Sequence, residues 1–135
     1  MPTRPRRLPA AVAAVAVVGQ VLVLYWPVVS VQGPVSWTDK VVHGLVFLVP
    51  TYAVGRALQL AGRSAVAAVA VFLVHAPLSE VVQAVVLPGR SGDPWDVVLD
   101  VVGVAVAGWA LARRRRASDG SAAGGPVVGR VARRW

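Results

Sequence analysis

Nine side chains able to do chemistry stand at spacings that could gather them at one place: Asp39, Lys40 and His43, then Glu80 and Gln83, then Arg90, then Asp93, Asp96 and Asp100. Asp39 and His43 are at i, i+4, so on a helix they share a face and the carboxylate is set to orient the imidazole. His43 so held is a candidate general base and Glu80 a candidate general acid. Arg90 is a group that would hold a phosphate or stabilise developing negative charge, or else pair with Asp93 and Asp96. Catalytic candidates are thus His43, Asp39 and Glu80, while a ligand-binding site would draw on all nine. The chain has no cysteine, HExxH motif, glycine-rich phosphate loop or GxSxG elbow, so no metal and no cofactor is expected. Ser79, beside Glu80, has no clear base partner.

The elements that must position these residues are membrane helices. Of 135 residues 56% are hydrophobic and only 15% charged, with a mean hydropathy of +0.65, too apolar for an ordinary soluble domain. Spanning a hydrocarbon core of about 30 Å takes roughly 20 apolar residues of helix. Four such stretches occur, over about 8–29, 41–58, 65–87 and 95–112, the fourth read as the shortest. Tyr25 and Trp26 suit the lipid–water interface at the end of the first. A signal peptide is the competing reading of that stretch, but it is too long for an h-region, and Trp26 and Pro27 stand where small residues would be cleaved. Gly62 and Arg63 lie in a connection so short that the second and third helices must be antiparallel neighbours.

Orientation follows from charge. With the N-terminus inside, twelve Arg and Lys residues fall on the inner side, and only Lys40 and Arg90 outside. The expected fold is an all-α integral membrane bundle of four transmembrane helices, N-in and C-in. Residues 1–7 form a basic cytoplasmic N-terminus, 8–112 the membrane domain, and 113–135 a basic, disordered cytoplasmic tail. The basic residues cluster at the termini, which excludes nucleic acid as the implied partner; the bilayer itself is the implied one. Arg113 to Arg116 read as a stop-transfer anchor, or as a contact with anionic lipid.

Five of the six acidic residues fall in the outer half, so the outer face of a basic protein is locally acidic. At about 1.5 Å per residue, Glu80 sits roughly 10 Å from the outer end of its helix, a costly depth for a carboxylate unless it faces protein or water, or is neutral. Buried polar groups also simply join helices by hydrogen bonds. Carboxylates, an imidazole, an amide, a lysine and an arginine in one leaflet exceed what adhesion needs. His75 reads as a packed histidine that bonds a carbonyl freed by Pro77, with a proton-relay role as the alternative. Gly103 and Ala107, beside Gly108, form a small-xxx-small pattern for close helix approach. Pro50 and Gly55 mark a bend in the second helix.

Asp39-Lys40-x-x-His43, Ser79-Glu80-x-x-Gln83, the loop Pro88-Gly89-Arg90-Ser91-Gly92-Asp93, and Asp96, Asp100 and Gly103 together resemble the VanZ-like family of small bacterial membrane proteins over about 37–108. Gly44 stands where the family usually has an aromatic residue, and Asp100 where it commonly has Asn. The resemblance implies a bacterial plasma-membrane protein with an outward polar motif and an envelope role; the family's name comes from a glycopeptide-resistance protein associated with teicoplanin. It does not imply an enzyme. The leading expectation is an outer-leaflet pocket that engages an amphiphile, either a lipid-linked cell-wall precursor or a lipoglycopeptide antibiotic. Lys40 and Arg90 would bind phosphate, and the carboxylates would accept hydrogen bonds from sugar or amine groups. The alternative is a membrane enzyme acting on a lipid-linked phosphate or acyl group. A proton or cation carrier is the least favoured, since only one deep acid is present.

Overall fold

Long apolar runs must satisfy every backbone hydrogen bond within themselves in lipid, and the only way for a single run to do so is as a helix. The computed structural model describes residues 7–26, 38–87 and 93–123, and its elements are α1 (Arg7–Tyr25), α2 (Thr38–Leu60), α3 (Val66–Val86) and α4 (Pro94–Ala123). All four are long and apolar enough to cross a membrane, and no strand occurs among the described residues. Large apolar side chains such as Val15, Val66, Val74 and Val85 are exposed on the outside of the bundle, the surface expected to meet acyl chains. This is a four-helix, multi-pass membrane protein.

The ends of the helices follow local chemistry. After Leu60, Gly62 takes a positive φ of 75°, the Arg63 N–H donates to the Leu58 carbonyl (2.8 Å) and the Gly62 N–H to that of Gln59 (2.9 Å). This is a glycine-terminated cap that reverses the chain into α3. Asp93 caps α4: its Oδ1 accepts the Trp95 N–H at 2.9 Å, and Pro94 takes the first helical position, where a missing N–H costs nothing. The helix starts where the polar cluster needs it.

Two expectations about the helices are corrected. The fourth is the longest at 30 residues, and its helix runs through Arg113–Arg116 to Ala123, so this part of the expected disordered tail is helical. Arginines stop insertion, not helix formation, and no proline or glycine interrupts the stretch before Gly120. The Arg113 guanidinium lies 4.4 Å from the Trp109 ring centroid, and Ser118 donates to the Arg114 carbonyl. The rest of the tail lies outside the described residues, as do residues 1–6 and 27–37. α2 runs through Pro50 as one helix, with the Thr51 hydroxyl donating to the Phe47 carbonyl at 2.6 Å.

The most extensive helix contact is α2 on α4. At its centre a Cβ on Gly103 would collide with the Gly44 carbonyl, so the two backbones touch, as the small-residue pattern of α4 predicts. Lower down, Gly55 leaves room for Leu111, and the Gln59 amide donates to the Leu111 carbonyl at 3.0 Å. The core between the helices is Leu24, Phe47, Phe72, Ala76 and Val104.

Candidate functional site

The close approach of α2 to α4 brings the first two turns of each helix side by side, and α3 delivers its last two turns to the same end. Lys40 on α2 bridges two carboxylates: its Nζ is 2.9 Å from Asp93 Oδ2 and 3.2 Å from Asp96 Oδ1. One turn deeper, His43 Nδ1 is 3.2 Å from Asp100 Oδ1, and Asp100 is fully buried. Glu80 reaches in from α3. Its Oε2 accepts the Asp93 backbone N–H at 3.1 Å, and its Oε1 lies 3.8 Å from His43 Nδ1. Asp96 closes the ring, with Oδ2 3.8 Å from His43 Nε2. Glu80 is 5% exposed and His43 8%.

The spacing along each helix explains this convergence. Lys40 and His43 are at i, i+3, and Asp93, Asp96 and Asp100 step by three and four, so each set forms one stripe on its helix. Because the stripes face each other, Lys40 meets Asp93 and Asp96, and His43 meets Asp100. Gln83, one turn after Glu80, is buried with its Nε2 lacking a hydrogen-bond partner; Glu80 Oε1 and Asp100 Oδ2 also lack one. Buried groups without partners cost about 1–3 kcal/mol each, and one function of such groups is to meet a ligand.

Electrostatics at this end are one-sided. Among the described residues, four carboxylates, Glu80, Asp93, Asp96 and Asp100, face one ammonium. Lys40 beside it, helped by the Trp95 N–H, holds the Asp93 carboxyl below the ordinary carboxylate range. Lys40 is therefore already matched by two carboxylates, which argues against the expected role of that lysine as a phosphate anchor.

Seven of the nine expected site residues have described side chains. Lys40, His43, Glu80, Asp93, Asp96 and Asp100 form the cluster, and Gln83 lies buried next to it. The Asp39 side chain and the whole of Arg90 fall outside the described residues. The orienting contact to His43 expected of Asp39 is made by Asp100. His75 differs from expectation in its partner. It is packed, as expected, with ring centroids 5.3 Å from Phe47 and 6.4 Å from Phe72, but its Nε2 is hydrogen-bonded to the Tyr25 hydroxyl at 2.9 Å, not to a carbonyl of its own helix. Tyr25, expected as an interfacial ring, makes this contact through the packing of α1 against α3.

Below the cluster, an apolar groove of about 600 Å³ opens between α1 and α3, lined among others by Val17, Val71, Phe72, His75 and Leu78. Gln20, buried on α1, also lines it and has an unpartnered Nε2. No family model, curated protein or solved structure matches the chain, so function is argued from this geometry and from the residues themselves.

Proposed function

We propose that this chain is a VanZ-like protein of the bacterial plasma membrane, with both termini cytoplasmic, whose outer-leaflet polar pocket engages the headgroup of an amphiphile. The carrying observation is the convergence of Lys40, His43, Glu80, Asp93, Asp96 and Asp100 from three helices at one end of a membrane bundle. The inner side of the sequence holds twelve of the fourteen Arg and Lys residues, and this end holds the acidic ones, which supports its facing outward.

The chemistry favours a donor-rich headgroup. Lys40 is matched by Asp93 and Asp96, and the carboxylate oxygens in excess of it are acceptors for amine and hydroxyl groups of a sugar or aminosugar. A phosphate on the same ligand is left to Arg90. The apolar groove reaches Leu78, close in height to Glu80 but on another face of α3, so an acyl chain in it would meet the headgroup site around that helix. A lipid-linked cell-wall precursor and a lipid-tailed glycopeptide of the teicoplanin type both have these parts.

Expression of the wild type and of His43→Ala, Glu80→Gln and Arg90→Ala in a susceptible Gram-positive host tests the reading. Membrane abundance and teicoplanin susceptibility are measured together. Protection conferred by the wild type and lost at unchanged abundance supports a working envelope site. Abundance that falls with each variant makes the cluster structural, and a wild type that confers nothing removes the antibiotic arm.

The His43–Asp100 hydrogen bond favours a second reading as a membrane enzyme acting on a lipid-linked phosphate or acyl group. In it, His43 held by Asp100 is the base and Glu80 the acid. Turnover of an envelope lipid by the purified protein, abolished by His43→Ala, distinguishes catalysis from binding.

A further inference from the structure

The polar cluster is fixed in a way that leaves one donor atom free on each of three side chains. Asp100 holds His43 at Nδ1, which leaves Nε2. The Asp93 N–H holds Glu80 at Oε2, which leaves Oε1, buried and without a hydrogen-bond partner. Lys40 holds Asp96 at Oδ1, which leaves Oδ2, 3.8 Å from His43 Nε2. One nitrogen or oxygen from each of His43, Glu80 and Asp96 lies within 4.8 Å of the other two, and all three residues are buried; Glu80 Oε1 itself lies 3.8 Å from His43 Nδ1, the nitrogen that Asp100 holds, so a shared ion would need a small turn of the imidazole or of Glu80. These separations are too long for hydrogen bonds. Tetrahedral ligands about 2.0–2.2 Å from a shared centre stand roughly 3.3–3.6 Å apart, so closing the set from within 4.8 Å needs a contraction of up to about 1.5 Å.

From this geometry we propose that His43, Glu80 and Asp96 bind one divalent transition-metal cation, with Asp100, the Asp93 N–H and Lys40 holding the ligands from behind. Charge supports the assignment. With its carboxylates ionised the cluster has, among the described residues, an excess of three negative charges, and a divalent ion reduces that excess to one. An imidazole with two carboxylates is a ligand set for zinc or manganese, whereas magnesium and calcium favour all-oxygen sites. A histidine held at its second nitrogen by a carboxylate is the usual support for such a ligand. Three protein ligands leave a coordination position open. The assignment goes beyond the amphiphile reading and stands without it, because it rests on the donor geometry and charge of these residues.

The test is metal uptake by the full-length protein, purified in detergent, stripped with EDTA and dialysed against Zn²⁺ or Mn²⁺. Saturable uptake approaching one ion per chain is expected. Affinity should fall at least tenfold in Glu80→Gln and in Asp96→Asn, and about 10–100-fold in Asp100→Asn, where only the support is changed. His75→Gln and Asp119→Asn should bind as the wild type does. A second measurement covers variants that fold poorly: saturating Zn²⁺ should raise the unfolding temperature of the wild type and leave that of Glu80→Gln unmoved. The assignment is overturned by folded wild type that shows no saturable uptake. It is equally overturned by unchanged uptake in the triple variant His43→Gln, Glu80→Gln, Asp96→Asn, or by preference for Ca²⁺ or Mg²⁺ over both transition ions. Failure of the amphiphile assays would leave these results untouched, so the two readings fail separately.

Discussion

His43 on α2 and Asp100 on α4 are joined by a buried hydrogen bond of 3.2 Å across 57 residues of sequence. It couples the helix that opens the polar site to the helix that closes it, and it lies within two turns of the Gly44–Gly103 contact that sets how close the two helices come.

Removing one side of that bond leaves the other buried and unpaired. Asp100→Leu should lower the unfolding free energy by about 1–3 kcal/mol, while Asp100→Asn, which keeps a polar atom for His43, should cost less. Unfolding of the purified protein in mixed micelles measures both. Equal losses would mean that the hydrogen bond contributes little.

The two glycines of the crossing should respond differently. A methyl on Gly103 collides with backbone, so Gly103→Ala should force α2 and α4 apart, at about 1–3 kcal/mol. A Cβ on Gly44 meets only the Leu99 carbonyl, at an ordinary 3.6 Å, so Gly44→Ala should be tolerated. Stability curves of the two variants, compared with each other, decide the point.

Asp93 gives the site an acid-side pH dependence. Its folded pKa is held down by Lys40 and the Trp95 N–H, so its contribution to stability is complete above the unfolded value of about 3.9 and is lost as pH falls through the lower folded value. Asp93→Asn should flatten stability in that acid window and keep the cap on α4. Asp93→Ala should also weaken the start of α4 at neutral pH. Unfolding measured between pH 2 and 7, as a range of about five units around that value, separates the charge from the cap.

Tyr25 and His75 form a second cross-helix pair, joining α1 to α3. In a double-mutant cycle with Tyr25→Phe and His75→Phe, the coupling should be about 0.6 kcal/mol and not above about 1.7. A coupling of zero would show that packing against Phe47 and Phe72, not the hydrogen bond, positions the imidazole.

With no cysteine in the chain, single cysteines report sidedness cleanly. Ser118→Cys, exposed on the helical end of α4, should react with a membrane-impermeant maleimide only in inverted vesicles or opened cells. Labelling in intact cells would invert the proposed topology and turn the acidic end toward the cytoplasm.

The sequence by itself determined the number of helices and the end at which their polar residues gather. Hydropathy and helical rise act locally, so runs such as about 65–87 and the stripe Asp93, Asp96, Asp100 are legible without knowledge of any neighbour. Local reading also found Gly103 as a contact position, because only small residues let helix backbones approach in lipid. It overreaches at α4, where the arginines mark the end of the apolar stretch but not of the helix. Tertiary structure alone decided the partners: Asp100 for His43, Asp93 and Asp96 for Lys40, Tyr25 for His75. Gly44, in sequence only a departure from an aromatic position, became the backbone against which Gly103 rests. Partner choice depends on how far each helix is rotated about its axis and where it crosses its neighbour. Those two quantities are set by contacts between segments distant in sequence, and no local pattern encodes them.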